Sequence, residues 1–167
     1  MASRLLPPVI EMARGSLKVQ AGADPFQQLV DEHNSLRSML DEMEHLAEGS
    51  KAKKARCFLL FKRTLAKHAM AEEDIVYPLL TREGEREEAA EHLYQEHAKM
   101  KIALFRLEQA LKGEGDWSAS VRELRQLIVP HARQEESEEF PRLRERLSHA
   151  KRVAAGRDVL REEAMVL

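Results

Sequence analysis

From Asp24 to Lys112 the chain contains only two glycines, Gly49 and Gly84. The segments between them are rich in Leu, Ala, Glu, Lys, Arg and Met, the residues that lose least on entering a helix. Turn dipeptides and β-branched alternation are nearly absent, which argues against strands. The expected fold class is therefore all-α. A first helix starts at Asp24-Pro25, with Asp as N-cap and Pro in the first turn, and stops near Gly49. A second runs from about Lys51 to about Thr81, and a third from about Glu85 to Lys112. A fourth opens after Gly115-Asp116, where Trp117 should anchor its start. The short connections predict antiparallel neighbours, an up-down-up-down four-helix bundle over residues 24–146. Residues 1–23 hold Pro7-Pro8, Gly15 and Gly22 and read as a loose N-terminal arm or a short helix. Residues 147–167 read as a short C-terminal helix on the bundle, the edge of a homodimer, or a frayed tail.

Composition removes several function classes. The 167 residues carry 27 basic and 29 acidic side chains, a net charge of −2. Nucleic-acid binders usually show a basic excess, so no nucleic-acid partner is expected. A single cysteine excludes an intramolecular disulfide framework and Cys-rich zinc sites. The longest apolar run, Cys57 to Phe61, is too short to span a bilayer, and Pro7-Pro8 interrupts the start before a signal core forms. The expectation is a soluble, cytoplasmic protein with no membrane partner.

The histidines need more explanation. Each apolar stripe has a polar interruption: His33 in the first helix, His68 with Glu72 in the second, His97 in the third, and His131 with Glu135 in the fourth. The midpoints between successive histidines fall at or beside the glycine-marked turns. In antiparallel helices, residues equidistant from a shared turn lie at one level. All four imidazoles sit roughly 16 residues, or ~24 Å, from their turns, and so converge on one layer of the bundle interior. Glu72 and Glu135 lie one turn from their histidines on the same face. Burying such groups unpaired is costly, so a cation is the economical explanation. Four imidazoles and two carboxylates can supply ligands to two metals, with each Glu able to bridge. Nitrogen and oxygen donors without thiolate suit iron, manganese or zinc, and a mixed set with open positions favours non-haem iron.

The second half of the chain repeats the first. His68 to Leu80 and His131 to Leu143 both read H-A-x-x-E-E-x-x-x-aromatic-P-x-L, and Asp31-Glu32-His33 matches Gln95-Glu96-His97. Two related helical hairpins would give a pseudo-symmetric dinuclear site, each supplying two His and one Glu.

This order of residues, with E-E-x-x-x-[YF]-P after each His-x-x-x-Glu pair, resembles the hemerythrin-like family, the HHE cation-binding domain. The resemblance covers about residues 24–146. It implies a four-helix bundle with an oxo- or hydroxo-bridged pair of irons, though zinc or manganese can take their place on purification. By position, His33, His68, His97 and His131 would be terminal ligands, and Glu72 and Glu135 bridging carboxylates. The chain departs from oxygen-carrying hemerythrins. It lacks a second His on the third helix, where Lys101 and Leu93 flank His97, and Glu135 stands in place of a final Asp. The irons would therefore have more open positions. The implied function is binding or sensing of O2, NO or peroxide. The alternatives are a redox enzyme acting on peroxide or NO, or a labile iron store. Whether the chain is an enzyme is left open.

Other candidates read as bystanders. His45, His92 and His149 fall off the stripes, and Cys57 reads as a small core residue. Tyr94, one turn before His97, reads as packed or surface, or as a contact to the centre. Glu73 and Glu136 read as solvated or salt-bridged, or as holding a ligand histidine. The charged runs Arg82–Glu88 and Glu135–Glu139 read mostly as solvated faces.

Overall fold

The computed structural model describes residues 24–166, and the arm expected over residues 1–23 lies outside them. Among the described residues all regular structure is helical. The order is α1 (Pro25–His45), α2 (Lys51–Ala71), α3 (Tyr77–Arg82), α4 (Glu87–Lys112), α5 (Trp117–Gln134), α6 (Phe140–Arg146) and α7 (His149–Met165). Two π-helical turns, Glu72–Val76 and Glu135–Glu139, join α2 to α3 and α5 to α6. No helix among the described residues is long and apolar enough to cross a membrane.

Local chemistry sets the starts and stops. The Asp24 carboxylate accepts from the Phe26 amide, and Pro25 opens the first turn of α1. Ser50 and Asp116 cap α2 and α5 through the Lys53 and Ala119 amides. Gly113, at φ 102°, closes α4 in the left-handed conformation that glycine adopts without strain. Trp117 is buried and its indole donates to the Met43 carbonyl at 2.9 Å, tying the start of α5 to the end of α1.

Cross-helix pairs fix the packing. Lys54 reaches the Ala47 carbonyl while His68 meets Glu32, so α1 and α2 run antiparallel. Arg106 with Glu123 and Glu96 with His131 do the same for α4 and α5. One core cluster, including Leu40, Met43, Phe61, Leu107 and Leu124, fills the end near Trp117. A second, including Phe26, Tyr77, Leu80, Leu93 and Phe140, fills the other end. The polar layer lies between them.

The second and fourth helices are not the uninterrupted rods that the sequence suggests. The Tyr77 amide bonds to the Glu72 carbonyl and the Phe140 amide to the Glu135 carbonyl, five residues back in each case. Pro78 and Pro141 follow directly. A proline ring clashes with the carbonyl four residues back in a regular helix, and a widened turn just before it relieves that conflict. The extra residue also rotates the inward face. Val76, Tyr77 and Leu80 are buried, whereas the stripe positions Ile75 and Leu79 are only half-buried. The tail forms a true helix, α7, which packs against α1, α2 and the first π turn.

Candidate metal centre

Each hairpin brings two histidines together. The His33 and His68 rings lie 4.5 Å apart between centroids, and the His97 and His131 rings 4.7 Å apart. Glu72 and Glu135 sit at the first positions of the two π turns and point into the same layer. Glu72 Oε1 lies 3.1 Å from His68 Nε2 and 3.7 Å from His33 Nε2, and its Oε2 lies 3.4 Å from His97 Nε2. Glu135 Oε2 lies 3.2 Å from His33 Nε2 and 3.3 Å from His131 Nε2. Each carboxylate thus meets a histidine from both hairpins. Two donor groups result, His33/His68/Glu72/Glu135 and Glu72/His97/His131, each with its ligand atoms within 4.8 Å of one another. All six residues expected from the sequence are brought together, and all are 0–3% exposed.

The donor atoms themselves are poorly served by the protein. Nε2 of His33 and His68, both oxygens of Glu72 and Oε2 of Glu135 are buried without a hydrogen-bond partner. Buried polar atoms are normally paired, and several orphans facing one another need a cation or protons between them. The chemistry of the set, imidazole nitrogen plus carboxylate oxygen, fits a transition metal.

The outer nitrogens are fully engaged. Glu32 accepts from His68 Nδ1 at 2.9 Å, and Glu96 from His131 Nδ1 at 2.8 Å. Glu73 and Glu136 accept from Nδ1 of His97 and His33, both at 2.9 Å. The pattern crosses over. The Glu before the first histidine of a hairpin holds the second histidine of that hairpin. The Glu after the inward carboxylate holds the first histidine of the other hairpin. These bonds present Nε2 to the centre on all four rings. Lys101 and Arg37 in turn hold Glu73 and Glu136.

The carboxylates dominate the electrostatics. Burial pulls His33, His68 and His97 toward the neutral form, but nearby carboxylates outweigh it. His33 is raised by Glu135 and Glu136, His68 is raised strongly by Glu72 and Glu32, and His97 rises to about 9 through Glu72 and Glu73. Burial acts on Glu72 in the opposite sense, yet His68 holds it well below the usual carboxylate range.

Four residues around this layer carry no role that their sequence context reveals. Glu32 and Glu96 were visible only as matched residues of the repeat. Tyr77 is fully buried, and its hydroxyl donates to Glu135 Oε1 at 2.9 Å while lying 2.9 Å from His97 Nε2. Its sole signal was the aromatic position before Pro78. Glu139 departs from the expected solvated run. It is fully buried and accepts from Arg86 Nη2 at 2.8 Å and Nε at 3.1 Å. The π turn rotates it inward.

The bystanders separate cleanly. His45, His92 and His149 are exposed, with His92 paired to Glu96 at 3.3 Å. Cys57 is buried in the core, where desolvation pushes its thiol up to about 12. Tyr94 does not reach the donors. Its hydroxyl donates to the Glu73 carbonyl at 2.6 Å.

Comparison with known proteins agrees with this geometry. Residues 24–143 match the family described as the hemerythrin HHE cation binding domain. The match covers most of the chain, which therefore belongs to that family. A Nostoc sp. (strain PCC 7120) protein described as a DNA nickase is 29% identical over 120 residues, or 70% of this chain and 32% of that protein. The chain thus spans about a third of that relative's length. No solved structure matches it.

Proposed function

We propose that the chain holds two iron ions at a His4Glu2 centre and binds or senses a small ligand there: O2, NO or peroxide. His33, His68, His97 and His131 would be the terminal ligands, and Glu72 and Glu135 the carboxylates shared between the metals. The observation that carries this reading is the set of orphaned donor atoms on His33, His68, Glu72 and Glu135, buried and turned toward one another. Bound iron would supply redox activity and open coordination positions. The protein residues orient the imidazoles, exclude bulk water and restrict access. Burial of all six donors favours a small ligand over a polymer. For that reason the nicking activity named for the Nostoc relative is not carried over to this chain.

The test is anaerobic loading with Fe(II), metal analysis, and absorption spectra on adding O2, NO or peroxide. Two irons per chain with a reversible ligand-dependent band are expected. A chain that takes up no iron, or whose bound iron responds to none of the three, overturns the proposal.

A further inference from the structure

The chain contains two tyrosines, and they touch each other. The Tyr77 and Tyr94 rings meet edge to face with centroids 4.9 Å apart. Tyr77 is buried at the centre, and Tyr94 is 41% exposed at the surface. The equivalent aromatic in the other half of the repeat is Phe140. It stacks on His33 at 6.0 Å and on Phe26 at 5.5 Å. The two halves of a near-symmetric site are thus flanked differently. One has a pair of oxidisable phenols leading outward, and the other a pair of inert phenyls.

We infer that Tyr77 and Tyr94 form a one-electron relay that carries oxidising equivalents from the metal centre to the protein surface. The inference rests on the iron reading above, with hydrogen peroxide as the oxidant. Tyr77 gives up an electron toward the centre, and its phenol proton passes to Glu135, the carboxylate that already accepts its hydrogen bond. Tyr94 then reduces Tyr77, which regains a proton, and Tyr94 loses its own phenol proton to solvent. A surface phenoxyl has two fates: reduction by an external one-electron donor, or coupling with a second Tyr94. For coupling, two Tyr94 phenols lose two electrons and two protons and form one ring–ring bond, while one H2O2 becomes two water molecules. Both electrons for that H2O2 come from the two phenols; in an Fe(II)-loaded chain a first H2O2 is spent on oxidising the iron, and the coupling draws on the peroxide in excess of it. A purely structural Tyr77, present only to satisfy Glu135, would not require an exposed phenol in contact with its ring.

The experiment uses the Fe(II)-loaded full chain, with iron measured in the same sample and peroxide added in excess. Freeze-quenched electron paramagnetic resonance reads the radical, and dityrosine fluorescence with denaturing gels reads coupling. The wild-type chain should show a tyrosyl signal followed by covalent dimers. Tyr94→Phe should keep its iron and a tyrosyl signal but lose the dimers. Tyr77→Phe should lose the dimers although Tyr94 is intact. Bound iron with no tyrosyl signal overturns the relay and leaves the iron reading standing. Dimers undiminished in Tyr77→Phe at equal iron, or in Tyr94→Phe, also overturn it. A chain that binds no iron overturns the iron reading, and the relay with it.

Discussion

The Glu32 carboxylate accepts the Nδ1 hydrogen of His68 at 2.9 Å, across the interface between the two helices of one hairpin. Three more such pairs, Glu96–His131, Glu73–His97 and Glu136–His33, complete the ring around the centre. Each bond fixes which imidazole nitrogen faces inward and makes it a better donor. Replacing any one of these Glu by Ala should therefore weaken metal binding by about 10–100-fold while leaving the helices intact. Competition against a graded set of chelators measures the loss, with far-ultraviolet circular dichroism as the folding control. Unchanged affinity in all four variants would mean that the ring is only a set of surface ion pairs.

Glu72 and Glu135 are expected to behave differently from this ring. Each contacts histidines of both hairpins, so neither can be replaced by a neighbour. Glu72→Ala and Glu135→Ala should each lower the bound metal from two ions per chain to one or none. Metal analysis after removal of loose ions gives the answer. Two ions retained in both variants would show that neither carboxylate is shared between metals.

Much of this is legible in the sequence alone. The glycines at 49 and 84, the cap at Asp24-Pro25 and the inward stripes define the helices and their pairing. The equal distances of His33, His68, His97 and His131 from their turns define the layer. The π turns were not legible, because the local propensities of Glu72–Val76 and Glu135–Glu139 suit an α-helix as well. They follow from the prolines just after them acting together with packing on both sides. Tyr77 and Glu139 were missed for the same reason, since helical periodicity misplaces residues once an extra one enters the turn. Glu32 and Glu96 escaped because half-buried carboxylates on a charged helix face look solvated until the partner across the groove is known.

The C-terminal helix should loosen as the pH rises. Glu163 on α7 receives a hydrogen bond from Gln28 Nε2 at 2.8 Å, and the same amide donates to Glu32 at 3.2 Å. Burial pushes the Glu163 carboxyl up to about 8, and the charge on Glu32 adds to the effect. The folded chain therefore holds a proton that the unfolded chain, with an ordinary value of 4.5, has lost. The contribution of this contact is fully present below that value and is lost as the pH passes through about 8. Hydrogen exchange along α7 should quicken between pH 4.5 and about 8 more than the chemical rate accounts for, and level off above that. Glu163→Gln should flatten that dependence. Parallel profiles in the two proteins would remove Glu163 from the account.

The pair between Arg86 and Glu139 gives the sharpest stability prediction. Glu139 is fully buried, and both of its oxygens face the Arg86 guanidinium, which raises the Arg86 pKa. The pair clamps the start of α4 onto the second π turn, directly before Phe140, whose ring lies on His33. Arg86→Ala would leave a buried carboxylate with only a long hydrogen bond, from Gln134 Nε2 at 3.4 Å. Breaking a buried pair in this way costs about 3–5 kcal/mol. Arg86 is itself 40% exposed, so water can partly replace it and the lower end of that range is expected. In a domain of this size that corresponds to a fall in Tm of about 6–12 °C. Removing both charges with Arg86→Met and Glu139→Leu should recover most of the loss, because the penalty lies in the orphaned charge rather than in the missing attraction. Thermal unfolding of the two single variants and the double variant, all without metal, closes the cycle. A double variant as unstable as Arg86→Ala alone would show that the guanidinium acts through some contact other than Glu139.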